Sequence, residues 1–177
     1  MNILSGEKVK VEEHLFSTLS TTTRSISAKN KNSSIPILLT DTVGFIENLP
    51  ALIIDAFHST LEEIEVADVV ILVVDSSEAQ EIVEKKLRVS LNELRNIGVG
   101  APIVIALNKI ELIPEEQLKI LVIYLEQSGV ITQHTIVPIS VKQEKNIDTL
   151  LQTVYESLPH MVRLSFRLPL GDAAQAF

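Results

Sequence analysis

A short polar segment, Asn108, Lys109, Ile110 and Glu111, carries side chains suited to holding a flat, polar ring. The Glu111 carboxylate can accept two adjacent N–H donors, the Asn108 amide can donate or accept, and the Lys109 stem can pack on a ring face. Guanine presents an N1–H beside an exocyclic amine, with O6 and N7 as acceptors on another edge. Such a tetrapeptide alone is more often an ordinary turn, so other motifs must support the interpretation.

A second segment, Asp41, Thr42, Val43 and Gly44, has residue types that suit a metal ion and a phosphate group. The Asp41 carboxylate can hold Mg²⁺ through water, and the bare N–H of Gly44 can meet a terminal phosphate. The alternative is a strand-ending Asp followed by a turn glycine.

A third segment, Ser140, Val141 and Lys142, can present a backbone N–H to guanine O6 and place a lysine near the ring. By itself this tripeptide says little. The three segments nevertheless occur in the order D-x-x-G, N-K-x-E and S-x-K, each after an apolar run. That order favours one guanine nucleotide site over three unrelated turns.

Continuous apolar runs must position these segments. Residues 35–39, 69–74 and 103–107 are apolar without alternation, as expected for strands buried on both faces of a parallel sheet. The polar residues Asp41, Asp75 and Asn108 follow them. Because ligands bind beyond the carboxyl ends of such strands, these polar residues are predicted to lie on the functional edge.

The remaining elements are predicted from spacing. Residues 135–139 are predicted to form the last strand of the sheet, and residues 24–29 are predicted to form an antiparallel hairpin with residues 35–39. Apolar residues at helical spacing predict helices over residues 52–67, 83–94 and 147–158, and another from Pro114. Asn146 is the predicted N-cap of the last helix. Strand and helix thus alternate, which predicts an α/β fold with a mostly parallel sheet and helices on both faces.

Composition narrows the class of protein. The chain has 177 residues and no cysteine. Its net charge of −8 argues against direct DNA binding, because DNA-binding proteins need clustered Lys and Arg. No apolar run approaches the roughly 20 residues that span a bilayer, so no membrane partner is expected. A cytoplasmic location is the default expectation.

One motif expected beside these segments is absent from the sequence. A phosphate-binding loop of the type G-x-x-x-x-G-K-[ST] brings backbone N–H groups and a lysine to the phosphates. The six glycines stand at positions 6, 44, 98, 100, 129 and 171, and none begins this pattern. The 177 residues alone are therefore expected to bind nucleotides poorly.

Residues 41–46, Asp-Thr-Val-Gly-Phe-Ile, and their flanks closely resemble the HflX family of ribosome-associated GTPases. The other matching positions are residues 15–19 and 22–24, Leu49, Pro50, Ala56, Phe57, residues 60–63, Ala67 and Asp68. The resemblance covers residues 1–158, which would form the GTPase domain, and leaves residues 159–177 as a C-terminal extension with a half-buried strand at 162–168.

The resemblance implies a Ras-like P-loop NTPase G domain that binds GTP or GDP with Mg²⁺, hydrolyses GTP slowly and associates with the large ribosomal subunit. The resemblance places the first switch at a run of five residues, and it implies that Thr18 and Asp41 both bind the Mg²⁺ ion. That run is Phe16, Ser17, Thr18, Leu19 and Ser20. Glu111 stands where GTPases usually have Asp, which keeps the carboxylate but adds a methylene. Phe45 stands where Ras-like enzymes place a water-orienting Gln, so no catalytic residue is assigned.

The resemblance also implies an N-terminally incomplete domain. Residues 1–6 are similar to the end of the helix that follows the phosphate-binding loop, so the first strand and that loop would precede Met1. The absent strand would belong between residues 37–40 and 69–74, at the centre of the sheet. Three resolutions are expected: an upstream segment of the natural protein fills this gap, another chain or residues 162–168 fill it, or the two halves close up into a rearranged sheet.

The resulting prediction is a GTP-binding protein of HflX type whose intact parent hydrolyses GTP, while the chain as given is defective in nucleotide binding. The alternative is a pseudo-GTPase that serves as an interaction module without nucleotide chemistry. A weaker option is a related GTPase with a different ribosomal or RNA target.

Overall fold

The computed structural model describes residues 22–26, 37–42 and 64–159. Strands β1 (Thr22–Ile26) and β2 (Ile37–Asp41) form an antiparallel pair in which Thr22 lies opposite Asp41. The predicted hairpin is thereby confirmed, with its first strand starting two residues earlier than expected. The hydroxyls of Thr23 and Thr40 lie 3.0 Å apart across the pair.

A separate parallel sheet contains β3 (Val70–Asp75), β4 (Ile103–Asn108) and β5 (Thr135–Pro138) in the order β3-β4-β5. These strands agree with the predicted apolar runs to within one residue at each end. The continuous apolar character of the central strand β4 follows from burial on both faces, because residues 104–107 are all buried.

Within residues 64–159, two long helices and a short 3₁₀ turn connect the strands, and a third long helix follows the last strand. The helices are α1 (Gln80–Asn96), α2 (Glu115–Gln127) and α3 (Ile147–Ser157), and the 3₁₀ turn covers Ile110–Leu112. Helix α2 begins directly after Pro114, as predicted, because the fixed backbone of proline suits a helix start. Asn146 also precedes α3, but its side chain does not cap the helix. The Asn146 amide instead donates to the carbonyl of Pro138 at 2.8 Å.

The parallel sheet is covered on both faces, as predicted for an α/β fold. Alternate residues of β4 point into two different cores, because successive side chains of a strand face opposite ways. One core, against α1 and α2, contains Leu72, Val74, Val83, Leu87, Leu91, Ile105, Leu107, Leu121, Leu125 and Ile131. The other core, against α3, contains Val104, Ala106, Val137, Ile139, Ile147, Leu150 and Val154.

Strands β2 and β3 belong to different sheets and do not pair with each other in the described part of the chain. Closure of the two halves, one of the expected ways to fill the central gap, is therefore not seen there. Leu38 of β2 is 69% exposed and Val73 of β3 is 57% exposed, although both belong to apolar runs.

Several predicted elements lie outside the described residues. They are the strand at 162–168, residues 27–29 of the hairpin and most of the helix at 52–67, of which Ile64 and Glu65 are helical. Within the described ranges, no helix is both long enough and apolar enough to cross a bilayer.

Candidate functional site

The carboxyl ends of the parallel strands bring two of the three predicted motifs together. Asp75, the last residue of β3, is in register with Asn108, the last residue of β4. Pro138 at the end of β5 is in register with Leu107, so the turn that follows β5 lies beside Asn108. The N-K-x-E and S-x-K segments thus meet at one edge of the sheet.

Asn108 links three segments of this edge. Its carbonyl accepts hydrogen bonds from the N–H of Ser76 at 2.9 Å and from the Ser76 hydroxyl at 2.7 Å. Its side-chain Oδ1 accepts the N–H of Val141 at 3.1 Å. The backbone of Asn108 is therefore held from the segment after β3, and its side-chain amide is oriented by the turn after β5. The Nδ2 of this amide has no acceptor among the described residues.

Lys109 leaves the strand with a left-handed backbone, at φ 69° and ψ 30°. Its ammonium donates to Oδ2 of Asp75 at 2.5 Å, while about half of the side chain remains exposed. The other oxygen, Oδ1, accepts the N–H and the hydroxyl of Ser77, at 2.9 and 2.6 Å.

The Asp75–Lys109 pair shifts both titrations towards the charged forms. Burial on its own would raise the pKa of Asp75, but the hydrogen bonds from Lys109 and Ser77 outweigh it and hold that pKa below its ordinary value. The hydrogen bond to Asp75 raises the pKa of Lys109. The pair is therefore ionised over the neutral range.

Glu111 sits in the 3₁₀ turn, which is tied to the sheet by the N–H of Ile110 donating to the carbonyl of Ile139 at 3.3 Å. A hydrogen bond from Ser140, with the backbone of Glu111 and the charges of Lys142 and Lys109, holds the pKa of Glu111 below its usual range. Its second oxygen, Oε2, is buried and has no hydrogen-bond partner among the described residues. A buried carboxylate oxygen without a hydrogen bond is energetically unfavourable, and an N–H donor from a ligand would remove that cost.

The turn after β5 is closed by its own backbone. Ser140 and Lys145 exchange two hydrogen bonds of 3.1 and 3.0 Å, and the N–H of Gln143 donates to the Ser140 hydroxyl at 3.0 Å. Ser140 is fully buried, whereas Lys142 is exposed. The sequence predicted a backbone N–H directed at guanine O6, and the N–H of Val141 already has an acceptor in Asn108. The N–H of Lys142 has no acceptor in the described ranges.

The D-x-x-G segment ends a strand of the other sheet. Asp41 is exposed and Thr42 is half-buried. The remaining predicted site residues lie outside the described ranges, namely Phe16, Ser17, Thr18, Leu19, Ser20, Val43 and Gly44. No group of three or more His, Cys, Asp or Glu residues in the described part forms a metal site.

Two residues of this edge were not among the predicted site residues. Ser76 supports the backbone of Asn108, and Asp75 holds Lys109. The available signal was the position of Asp75 directly after an apolar run, which placed it on the functional edge without indicating its partner.

Comparison with known proteins shows the family of this chain. A family described as 50S ribosome-binding GTPases matches residues 1–109. A GTPase HflX from Thermococcus kodakarensis is 49% identical over 116 residues, which cover 65% of this chain and 25% of that protein. A GTPase HflX from Akkermansia muciniphila is 40% identical over 166 residues, which cover 92% of this chain and 36% of that protein. The chain belongs to the HflX family of GTPases.

A solved relative confirms the predicted fold of this HflX-family chain. A GTP-binding protein from the hyperthermophilic archaeon Sulfolobus solfataricus, in complex with GDP, superposes with a TM-score of 0.65 at 32% identity. The match covers 88% of this chain and 46% of that one. The HflX-family chain therefore has the α/β architecture of Ras-like P-loop GTPase domains.

Proposed function

We propose that the edge formed by the ends of β3 and β4 and by the turn after β5 binds the guanine base of GTP or GDP. The observation that carries this proposal is the buried Oε2 of Glu111, which has no hydrogen-bond partner among the described residues. The side-chain amide of Asn108, three residues earlier in the same motif, is already oriented by Val141. A base with two adjacent N–H donors would satisfy the Glu111 carboxylate, because one carboxylate can accept two parallel hydrogen bonds.

The other base contacts follow from the groups left free. Nδ2 of Asn108 can donate to N7 or O6 of guanine, and the N–H of Lys142 can donate to O6. The side chain of Lys109 is about half exposed, and its stem can cover one face of the ring. Adenine lacks the paired donors and the O6 acceptor, so it would leave the Glu111 carboxylate unpaired.

We further propose that Mg²⁺ is held by Asp41 through water and by the hydroxyl of Thr18. Mg²⁺ uses one or two carboxylates with retained waters and phosphates, and an exposed carboxylate at a strand end suits that mode. When bound, the ion would neutralise phosphate charge. The structure describes Asp41 but not Thr18.

For the whole protein, we propose GTP hydrolysis and association with the large ribosomal subunit in the cytoplasm. The supporting observations are the matched family of 50S ribosome-binding GTPases and the HflX relatives, of which this chain spans 25% and 36% of the length. The 177-residue chain by itself is proposed to bind GDP weakly, with a Kd of about 0.1–1 mM, because its sequence lacks a phosphate-binding loop of the type G-x-x-x-x-G-K-[ST].

Amide NMR titration of the 177-residue chain with GDP, inosine diphosphate and ADP tests the base site. GDP should shift the backbone signals of Lys109, Val141 and Lys142. Inosine diphosphate lacks the exocyclic amine and should bind about 10- to 100-fold more weakly, since one charge-assisted hydrogen bond is lost. ADP should leave these signals unchanged.

Glu111→Gln is the informative variant, and Glu116→Gln on the first turn of α2 is its matched control, because both remove one negative charge. The first should abolish the preference for GDP over inosine diphosphate, and the second should retain it. Equal shifts with ADP and GDP would refute a guanine site, and no shift with 5 mM GDP would favour the nucleotide-independent module. Submicromolar GDP binding would contradict the proposed weakness of the isolated chain.

A further inference from the structure

The segment after β3 holds the N-K-x-E segment through two separate sets of hydrogen bonds. Ser76 binds the backbone carbonyl of Asn108 through both its N–H and its hydroxyl. Asp75 binds the side-chain ammonium of Lys109 at 2.5 Å. The backbone of one motif residue and the side chain of the next are therefore held from the neighbouring strand.

The Asp75 carboxylate is itself held in place. Its Oδ1 accepts two hydrogen bonds from Ser77, and its Oδ2 accepts the hydrogen bond from Lys109. A carboxylate bound at both oxygens has little freedom to rotate. The ammonium of Lys109 is consequently confined to one place, although about half of that side chain is exposed to solvent.

The backbone of Lys109 explains why its side chain reaches this partner. The left-handed conformation at φ 69° and ψ 30° turns the chain sharply after β4, and Asp75 is the register partner of the preceding residue, Asn108. A left-handed conformation is unfavourable for a residue with a Cβ, so the surrounding contacts must stabilise it.

We propose that Asp75 is a positioning residue that holds the stem of Lys109 as a preformed platform for the guanine ring. This inference rests on the proposed base site. It assigns to Asp75 no contact with the nucleotide. A free lysine side chain would have to give up its rotamer freedom when the ring binds, whereas the ion pair removes that freedom beforehand.

An alternative role for Asp75 predicts the opposite effect of its removal on nucleotide binding. Asp75 would then sequester the ammonium of Lys109 and keep it from the phosphates of a bound nucleotide. The geometry favours positioning, because the hydrogen bond to Asp75 fixes the ammonium end of the side chain while about half of the whole side chain stays exposed. Loss of Asp75 should weaken binding under the first role and strengthen it under the second.

The first measurement requires no ligand. The ¹⁵N-detected ammonium signal of Lys109, assigned with Lys109→Arg, should show an ordered group in the wild-type chain. Asp75→Asn should move that signal to the position of a freely solvated lysine. Glu78→Gln is the matched control, because it removes one negative charge from the same loop at a residue that pairs with Lys86. An unchanged Lys109 signal in Asp75→Asn would overturn the proposal.

The second measurement uses GDP titration of the same variants. Asp75→Asn should weaken GDP binding about tenfold, the order expected from the rotamer freedom of one lysine, and Glu78→Gln should leave it unchanged. Ser77→Ala keeps the charge of Asp75 but removes one of its hydrogen bonds, so it should give a smaller loss and serves if Asp75→Asn does not fold. Tighter GDP binding by Asp75→Asn would establish sequestration and overturn positioning.

The two proposals can fail separately. If the wild-type chain binds no GDP, the base site itself is refuted, together with the ligand role of Asp75. If the wild-type chain binds GDP and Asp75→Asn binds it equally well, the base site stands and the positioning role is refuted.

Discussion

Ser76→Ala tests whether the hydrogen bond from the Ser76 hydroxyl to the Asn108 carbonyl stabilises the protein. Ser76 is 2% exposed, and its hydroxyl donates to the Asn108 carbonyl at 2.7 Å. The N–H of residue 76 donates to the same carbonyl at 2.9 Å, so the carbonyl keeps one partner after the substitution. The cost is then one hydrogen bond without an orphaned acceptor, about 0.5–1.5 kcal/mol.

Urea unfolding followed by circular dichroism measures this change as a lower midpoint at constant slope. The same loss corresponds to a fall in Tm of roughly 2–4 °C per kcal/mol for a chain of this size. Ser157→Ala in the last turn of α3 is the matched control. Its hydroxyl donates to the Thr153 carbonyl within the helix, so its loss should be neutral or slightly stabilising.

Two outcomes would refute this reasoning about Ser76. No change in unfolding free energy would mean that the hydroxyl does not bind the Asn108 carbonyl in solution. A loss above about 3 kcal/mol would mean that the carbonyl is left unsatisfied, so the backbone N–H of residue 76 would not be its second donor.

Two further predictions concern the core and the pH dependence of stability. Leu87→Ala should lower the free energy of unfolding, measured in urea, by about 2–5 kcal/mol, because the Leu87 side chain is fully buried between α1 and the sheet. The control Val89→Ala should cost far less, because Val89 is 39% exposed. The folded-state pKa of Glu111 lies below its unfolded value of 4.5, so its contribution to stability is fully present above that value and is lost as the pH falls through the folded pKa. The stability difference between wild type and Glu111→Gln should therefore be constant above about pH 5.5 and shrink on acidification below pH 4.5, whereas a constant difference down to pH 3 would contradict the lowered pKa.

The strands were predictable because their signal is local. Residues 103–107 are continuously apolar, and only a strand covered on both faces requires that pattern over so short a run. Helix α2 was equally predictable from Pro114 and the acidic residues that follow it. Asn146 shows the limit of such local rules. Its position before α3 was predicted correctly. Its side-chain amide, however, donates to the carbonyl of Pro138 and does not cap the helix.

The candidate site was predictable only in part, because hydrogen-bond partners far apart in sequence leave no local signal. Glu111 and Ser140 were recognised from their motifs, and the structure places them side by side. The partner of the Val141 N–H was not foreseen, since Asn108 lies 33 residues earlier. Binding of nucleotide by these residues stays a prediction.

The sequence by itself determined the family, the order of strands and helices, and the three segments that could hold a guanine nucleotide. These depend on residue types and short-range spacing, which are written directly in the chain. Only the tertiary structure decided that Asp75 pairs with Lys109 across 34 residues, and that one oxygen of Glu111 is buried without a partner. The reason is physical. Register between parallel strands sets which side chains meet at the sheet edge, and that register results from packing both cores at once.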